Sequence, residues 1–386
     1  MPPDLVQKLT LIFVVTEDWY FWSHRLALAR AARDDGYRVV VATRVRDHGD
    51  RIRAEGFDLV ALPWRRSGDG VLGHVRAIAA LVRLYRRERP NLVHHVALKG
   101  VVFGALAARI AGIGAEVNAL TGLGYVFIGS DWRARLIGRP LRSVLRWLID
   151  RPGSVVIVQN GDDRRALIDQ VGVTAGRLVL IPGSGVDAML YRPTPEPTGT
   201  PIVAAMVSRV LRDKGVVEFA EAGRLLALRG CPVHLNLIGP LDPDNPTGLS
   251  AEEIAGLVKS AGVTWQGATD DIAQIWADAH IAVLPSYREG LPKSLLEAAA
   301  CGRPIVATDV PGCRDIARQG VNAILVPARD AAALADAIEA LAVDPVRRAA
   351  YGAAGRTLIE DVFAEPRIIA ATLGCYRELL KHPARA

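Results

Sequence analysis

The sequence predicts an α/β protein of two parallel-sheet lobes. Three observations carry this. Short continuous apolar runs alternate with stretches of helical periodicity along the chain, the pattern of strands buried on both faces and covered by helices. A proline-rich interruption at 191–201 stops the alternation, which then starts again. The length of 386 residues suits two domains at roughly 100–200 residues each. With 50% hydrophobic and 23% charged residues, each lobe has enough apolar surface for its own core, which excludes a disordered chain.

In the first half, 9–15 is an unbroken apolar run and reads as a buried strand. Helical spacing follows at 21–35 (Leu26, Leu28, Ala29, Ala32), and Gly36 ends it. Strands are expected at 38–43 and at 57–62, where Pro63 stops the run. A long helix covers 71–89 and halts at Pro90. Strand 91–95, helix 100–111 and strand 116–120 come next. Helix 141–149, strand 155–159, helix 162–170 and strand 178–181 close the half. Segment 191–201 holds four prolines and no periodicity, and reads as a linker. In the second half, strands are expected at 202–207, 233–238, 281–284, 304–307 and 323–326. Helices fall at 216–229, 251–261, 292–301 and 331–341, and only helical patterns occupy 345–382.

Composition narrows the function. Cys231, Cys301, Cys313 and Cys375 form no CxxC pair, which disfavours a disulfide framework or a cysteine zinc site. No apolar stretch reaches the ~18 residues of a membrane span, and the run at 9–15 is followed by Glu17 and Asp18 rather than by a cleavage site. The net charge is +6, unevenly placed: residues 1–199 hold 28 basic and 19 acidic side chains, the remainder 19 and 22. A basic first lobe suits an anionic partner: nucleic acid, a membrane surface or a phosphorylated substrate. No G-x-G-x-x-G leads from a strand into a helix, so a dinucleotide oxidoreductase is disfavoured.

Two segments carry chemistry. In the first, the strand ending at Leu284 leads through a turn bearing Glu289 to a helix opening at Pro292, with Glu297 about one and a half turns inside. Such a helix start offers unpaired N–H groups, here of Leu291, Lys293 or Ser294, to a phosphate or sugar hydroxyls. Acidic residues near a helix start are also common for dipole reasons alone. In the second, strand 203–207 runs into a loop carrying Arg209, Arg212 and Lys214, cations able to hold a diphosphate.

Together these segments resemble the retaining nucleotide-sugar glycosyltransferases of family 4, with the two-lobed GT-B fold. The likeness rests on Glu289 and Glu297 in the E-x7-E pattern and on its continuation through Ala298, Gly302, 304–309 and Pro311-Gly312. The resemblance implies two Rossmann-like lobes with an interlobe cleft. The first occupies 1–190 on the acceptor side and 191–201 is the linker. The nucleotide-sugar lobe is 202–362, and a C-terminal helix at 363–386 packs back toward the first lobe. It further implies that Glu297 accepts hydrogen bonds from the ribose and that Glu289 sits by the donor sugar. Arg209 and Lys214 would neutralise the leaving diphosphate. Segments 263–267 and 268–272 would line the base chiefly through backbone groups, Gly239 would allow close approach of the nucleotide, and Gly267 and Gly290 would belong to the donor-binding set.

The first lobe resembles the subgroup that builds polysaccharides and glycans on lipid carriers. The matching residues are His94, His95, Lys99 and Gly100, Arg109 with its two preceding alanines, and the run 118–127 with Thr121, Gly122 and Tyr125. The resemblance implies a UDP-linked donor, a polyprenyl-diphosphate-linked acceptor, no metal or other cofactor, and a place on the cytoplasmic face of the membrane. The glycine-rich loop many relatives carry after the first strand is replaced by Thr16-Glu-Asp-Trp-Tyr-Phe-Trp-Ser-His24-Arg25. The usual histidine gives way to Thr121-Gly122, leaving His24, His94 and His95 as candidates or as structural residues. In 131–151, Arg135, Arg139, Arg142 and Arg146 share a face among tryptophans and leucines, which suits an anionic membrane surface or a core helix that Pro140 splits. The competing readings are a nucleotide-sugar epimerase of the same fold and a basic nucleic-acid-binding or scaffold protein, though no nucleic-acid signature is present.

Overall fold

The computed structural model describes residues 8–64, 70–122 and 132–381, without the side chains of 132–139, 260 and 261. The chain divides into two compact units, residues 1–184 with 368–386, and 185–367.

The first unit runs β1 (Thr10–Glu17), α1 (Asp18–His24), α2 (Leu26–Asp34), β2 (Arg38–Arg44), α3 (Gly49–Ala54), β3 (Asp58–Ala61) and α4 (Gly70–Glu88). It continues β4 (Leu92–Val96), α5 (Ala97–Ala111), β5 (Glu116–Leu120), α6 (Trp132–Ile149), β6 (Ser154–Val158), α7 (Gly161–Ala166) and β7 (Leu178–Leu180). All seven strands are parallel, in the order β3-β2-β1-β4-β5-β6-β7. The continuous apolar run of β1 has the expected cause. Leu11, Phe13 and Val15 enter the core on one face, Ile12 and Val14 the core on the other.

The second unit runs β8 (Ile202–Val207), α8 (Val216–Leu228), β9 (Val233–Ile238), α9 (Ala251–Ala261), β10 (Val263–Trp265), α10 (Ile272–Asp278) and β11 (Ile281–Leu284). Then come α11 (Lys293–Ala300), β12 (Ile305–Thr308), α12 (Cys313–Ile316), β13 (Ala323–Val326), α13 (Ala331–Ala342), α14 (Pro345–Leu358) and α15 (Glu365–Lys381). Its sheet is parallel in the order β10-β9-β8-β11-β12-β13. From Ile368 onward α15 belongs to the first unit, where Ile368, Leu373, Tyr376 and Leu379 join the core beside β1.

Several elements differ from their sequence expectations. Segment 191–201 is not a linker, because side chains of the second unit hold it. Arg303 bonds the Thr194 carbonyl and hydroxyl, Arg348 pairs with Glu196, and His280 bonds the Pro197 carbonyl at 3.1 Å. The helix expected at 21–35 breaks at Arg25 into α1 and α2. Pro140 does not split its helix: α6 continues through it, anchored by Leu145, Leu148 and Ile149 in the core. Pro292 caps α11 rather than opening it, and α11 starts at Lys293.

Candidate active site

In each sheet the strand order reverses once, between β1 and β4 and between β8 and β11. At such a reversal the following helices leave to opposite sides, and a crevice opens at the carboxyl ends of the two strands. In the second unit the turns after β8 and β11 therefore meet. Gly215 has φ +76°, and a Cβ there would lie 2.2 Å from the Pro285 carbonyl oxygen, so only glycine admits this approach. The Tyr287 N–H donates to the Asp213 carbonyl at 2.9 Å and locks the two turns.

This contact brings Lys214 and Glu289 together, with Nζ and Oε1 2.5 Å apart and side chains 21% and 10% exposed. Ser286 Oγ donates to the same Glu289 oxygen at 2.7 Å. Thr308, at the end of β12, in turn donates its hydroxyl to the Ser286 carbonyl. The result is a carboxylate held by an ammonium and a hydroxyl on adjacent strand ends. A carboxylate so engaged is a binding and electrostatic group rather than a free nucleophile.

Arg209 follows β8 and pairs with Asp242, Nη1 to Oδ2 at 2.5 Å. Its charge is thus positioned and partly compensated by an acid that sequence reasoning did not single out. Arg212 turns away to Glu253 on α9, both half-exposed. Gly239 follows β9 with φ +148°, and a Cβ there would lie 1.7 Å from the Ser208 carbonyl oxygen. Its N–H donates to the Gly267 carbonyl at 2.7 Å, and Trp265 Nε1 donates to the Gly239 carbonyl at 2.9 Å. The turns after β8, β9 and β10 are thereby packed backbone against backbone. Leu291 packs on the core beneath, and a Cβ on Gly312 would lie 2.6 Å from the carbonyl oxygens of Glu289 and Gly290.

Glu297 lies inside α11, 6% exposed. Burial pushes its carboxyl pKa up, against the opposing pull of Lys293, at 3.5 Å, and of the Tyr191 hydroxyl. Tyr191 escaped sequence reasoning because it stands in the proline-rich stretch that carries no periodicity. The N-cap residue Pro292 offers no side-chain hydrogen bond to the first turn of α11. Among the described residues, no group of three or more His, Cys, Asp or Glu side chains is placed to hold a metal ion.

In the first unit the histidine candidates are corrected. His94 and His95 are both fully buried, and adjacent strand residues face opposite ways. His94 Nδ1 meets the Tyr376 hydroxyl at 2.5 Å, and its ring lies against Phe13. His95 bonds the Tyr85 hydroxyl through Nε2 at 2.9 Å and Asn118 Oδ1 through Nδ1 at 2.7 Å, while Asn118 Nδ2 donates to Ser154. That chain makes His95 Nδ1 the donor and Nε2 the acceptor, a neutral ring with both nitrogens satisfied. His95 therefore keeps no free nitrogen for a ligand, and Tyr376 occupies Nδ1 of His94. His24 stacks on Tyr20 at 4.1 Å. Lys99, in the first turn of α5, lies 5.6 Å from the Phe103 ring and 5.9 Å from that of Trp64. Thr121 and Gly122 follow β5, half-buried, with Gly122 at φ +136°. Tyr125 lies outside the described residues, as do the side chains of Arg135 and Arg139.

Burial holds the His95 pKa at about 4, below its ordinary 6.5. Its folded-state pKa is depressed, so the unfolded chain binds the extra proton first. Stability is therefore expected to fall as pH drops from 6.5 to about 4, and the slope to be shallower in His95→Gln. Urea unfolding across that range checks this.

Arg142 and Arg146 line an open groove of about 880 Å³ with Arg109, Trp147, Asp150, Arg151 and Gln170. The Arg109 guanidinium stacks 4.1 Å from the Trp147 ring centroid. Arg146 lies 3.7 Å from Asp150. Ile110, Val144 and Trp147 are about half-exposed beside them, at 50%, 48% and 50%.

Two parallel-sheet units, each with one reversal of strand order, and an E-x7-E pair whose Glu289 meets Lys214 while Glu297 lies buried in α11, define the class: a sugar-transferring enzyme of the GT-B fold. The chain belongs to the glycosyl transferases. Residues 201–344 match the family described as glycosyl transferases group 1, and residues 10–137 the family described as glycosyl transferase 4-like. It is 25% identical over 333 residues, 83% of this chain and 86% of the other, to an N,N'-diacetylbacillosaminyl-diphospho-undecaprenol alpha-1,3-N-acetylgalactosaminyltransferase of Campylobacter jejuni. It is 29% identical over 276 residues, 64% of this chain and 70% of the other, to the alpha-maltose-1-phosphate synthase of Mycolicibacterium smegmatis. Among solved structures, a sucrose-phosphate synthase from Thermosynechococcus elongatus superposes with TM-score 0.81 at 22% identity, over 97% of this chain and 100% of that one. An Anabaena HepE complex with UDP and glucose gives 0.75 at 21%, over 95% and 99%.

Proposed function

We propose that this glycosyltransferase moves a sugar from a UDP-sugar, with retention of configuration, to a saccharide on a polyprenyl diphosphate. The product would serve cell-surface polysaccharide or glycan synthesis. The observation that carries the reading is the Lys214–Glu289–Ser286 cluster at the switch point of the second sheet. The leaving diphosphate gains charge as the C1–O bond breaks, and pre-placed cations stabilise that charge without reorganising. Lys214 and Arg209 take this role, so the reaction is read as independent of metal. The acceptor hydroxyl attacks C1 from the face the phosphate leaves, and a phosphate oxygen takes its proton. No protein nucleophile is then needed. The relative that acts on a diphospho-undecaprenol substrate supports the acceptor class, and the HepE complexes support UDP.

A screen of labelled UDP- and GDP-sugars on polyprenyl-linked acceptors, with linkage analysis and an EDTA arm, tests the reading. A retained linkage formed from a UDP-sugar in EDTA supports it. Donor isomerisation without acceptor points to an epimerase, and absence of any nucleotide binding to a scaffold. Within the same reading, Glu297→Ala is expected to weaken UDP binding at least tenfold, since a hydrogen bond to a charged acceptor contributes about 1.5–3 kcal/mol. Calorimetric titration of the folded variant measures this.

The reading also puts the enzyme at the cytoplasmic face of a membrane, peripherally. Among the described residues no helix is long and apolar enough to cross one. Arg109, Arg142 and Arg146 beside half-exposed Ile110, Val144 and Trp147 make a basic, partly apolar surface. Each cation near an anionic surface adds about 1 kcal/mol. Anionic but not neutral liposomes are expected to sediment the protein, high salt to release it, and Arg135, Arg139, Arg142 and Arg146 changed together to glutamine to abolish most of the binding.

A further inference from the structure

Arg25 joins α1 to α2, and its side chain is buried, 6% exposed. Its Nε has no hydrogen-bond partner, and no carboxylate pairs with it among the described residues. A guanidinium does not deprotonate in a protein, so burial cannot be relieved by losing the charge. Buried charges are ordinarily paired, and an unpaired one is costly.

The acids nearest in sequence are committed elsewhere. Glu17 lies 3.5 Å from Arg44. Asp18 is fully buried and accepts the backbone N–H groups of Trp19, Arg46 and His48 at 2.8, 2.6 and 2.9 Å. The groups in the field of Arg25 are instead His94 and Tyr376, and its charge adds to the burial that keeps His94 neutral. Among the described residues, His94 Nε2 is likewise buried without a partner. Two unsatisfied nitrogen groups thus lie in one region. It adjoins α1, which leaves the carboxyl end of β1, and β4, where His94 sits. Those two strands flank the order reversal of the first sheet, where a ligand crevice is expected.

We infer that Arg25 is the counter-charge for a phosphoryl group of a bound substrate, in a subsite on the first unit distinct from the cations Lys214 and Arg209. The planar fork matches phosphate oxygens two at a time. The choice of the acceptor's diphosphate over the donor's as its source rests on the proposed function. The need for an anion rests on Arg25 alone.

The test uses the full chain, with Arg25→Met, neutral and of similar length, and Arg25→Lys. The probes are UDP, farnesyl diphosphate, and inorganic diphosphate in the presence of saturating UDP. For Arg25→Met we expect a melting temperature equal to or above wild type without ligand, because an unpaired charge is removed. Affinity for farnesyl diphosphate and for inorganic diphosphate should fall at least tenfold, with UDP affinity within twofold of wild type. A lower melting temperature with unchanged affinities makes the guanidinium structural and overturns the inference. Loss of UDP affinity alone overturns it too, by assigning Arg25 to the donor. If wild type binds inorganic diphosphate through Arg25 but not farnesyl diphosphate, the subsite stands and the lipid-diphosphate acceptor falls. Should Arg25→Met not fold, Arg25→Lys decides: several-fold weaker binding of inorganic diphosphate supports the fork, and unchanged binding overturns it.

Discussion

Lys214→Ala is expected to lower kcat by about 10²–10³ while leaving the enzyme folded, the loss seen when one pre-placed group facing transition-state charge is removed. The ammonium has two tasks in this structure. On the proposed function it meets the leaving diphosphate, and in the structure it holds the Glu289 carboxylate, which is 10% exposed. On that reading its removal deprives the diphosphate of a cation and, among the described residues, leaves the Ser286 hydroxyl as the remaining side-chain partner of Glu289. Glu289→Gln should also be slow, and the double variant no slower than about the worse single one, because residues acting as a unit are not additive. Steady-state kinetics at saturating donor, with a melting curve for each variant, measures this. A Lys214→Ala enzyme within threefold of wild type would remove the ammonium from the mechanism.

Gly239→Ala should damage the fold itself. The added Cβ would sit 1.7 Å from the Ser208 carbonyl oxygen, and the backbone has φ +148°. Both obstacles are main chain, so no side-chain rotation relieves them. A loss of about 3–5 kcal/mol is expected, at the high end for a single substitution. For a unit of this size that lowers Tm by roughly 10 °C. Gly256→Ala, in α9 with open space at its Cβ, is the control and should gain a few tenths of a kcal/mol to about 1 kcal/mol. Differential scanning calorimetry of the pair separates the close approach at Gly239 from the general effect of losing a glycine.

Much of the candidate site was legible before any coordinates. Glu289, Glu297, Arg209 and Lys214 follow strand runs whose ends are visible as breaks in apolar character, and strand ends are where parallel sheets bind ligands. The histidines show the opposite. His94 and His95 sit at a strand end in the sequence, yet each is consumed by a tyrosine in the core, and Tyr376 is 282 residues from His94. Segment 191–201 misled for a related reason. Its prolines abolish periodicity, but Arg303, Arg348 and His280 bind its backbone and Glu196 from elsewhere in the second unit.

The sequence by itself determined the alternation of strands and helices, the two sheets, and the spacing that puts Glu289 on a turn and Glu297 in a helix. These are consequences of local geometry: apolar runs, helical periodicity, and glycine or proline at the breaks. Only the tertiary structure decided which charges meet. Lys214 finds Glu289 across 75 residues, Arg209 finds Asp242, and Arg25 finds no carboxylate among the described residues. The reason is physical. Strand order decides which strand ends become neighbours, and no local pattern along the chain encodes the partner of a side chain that leaves the end of a strand.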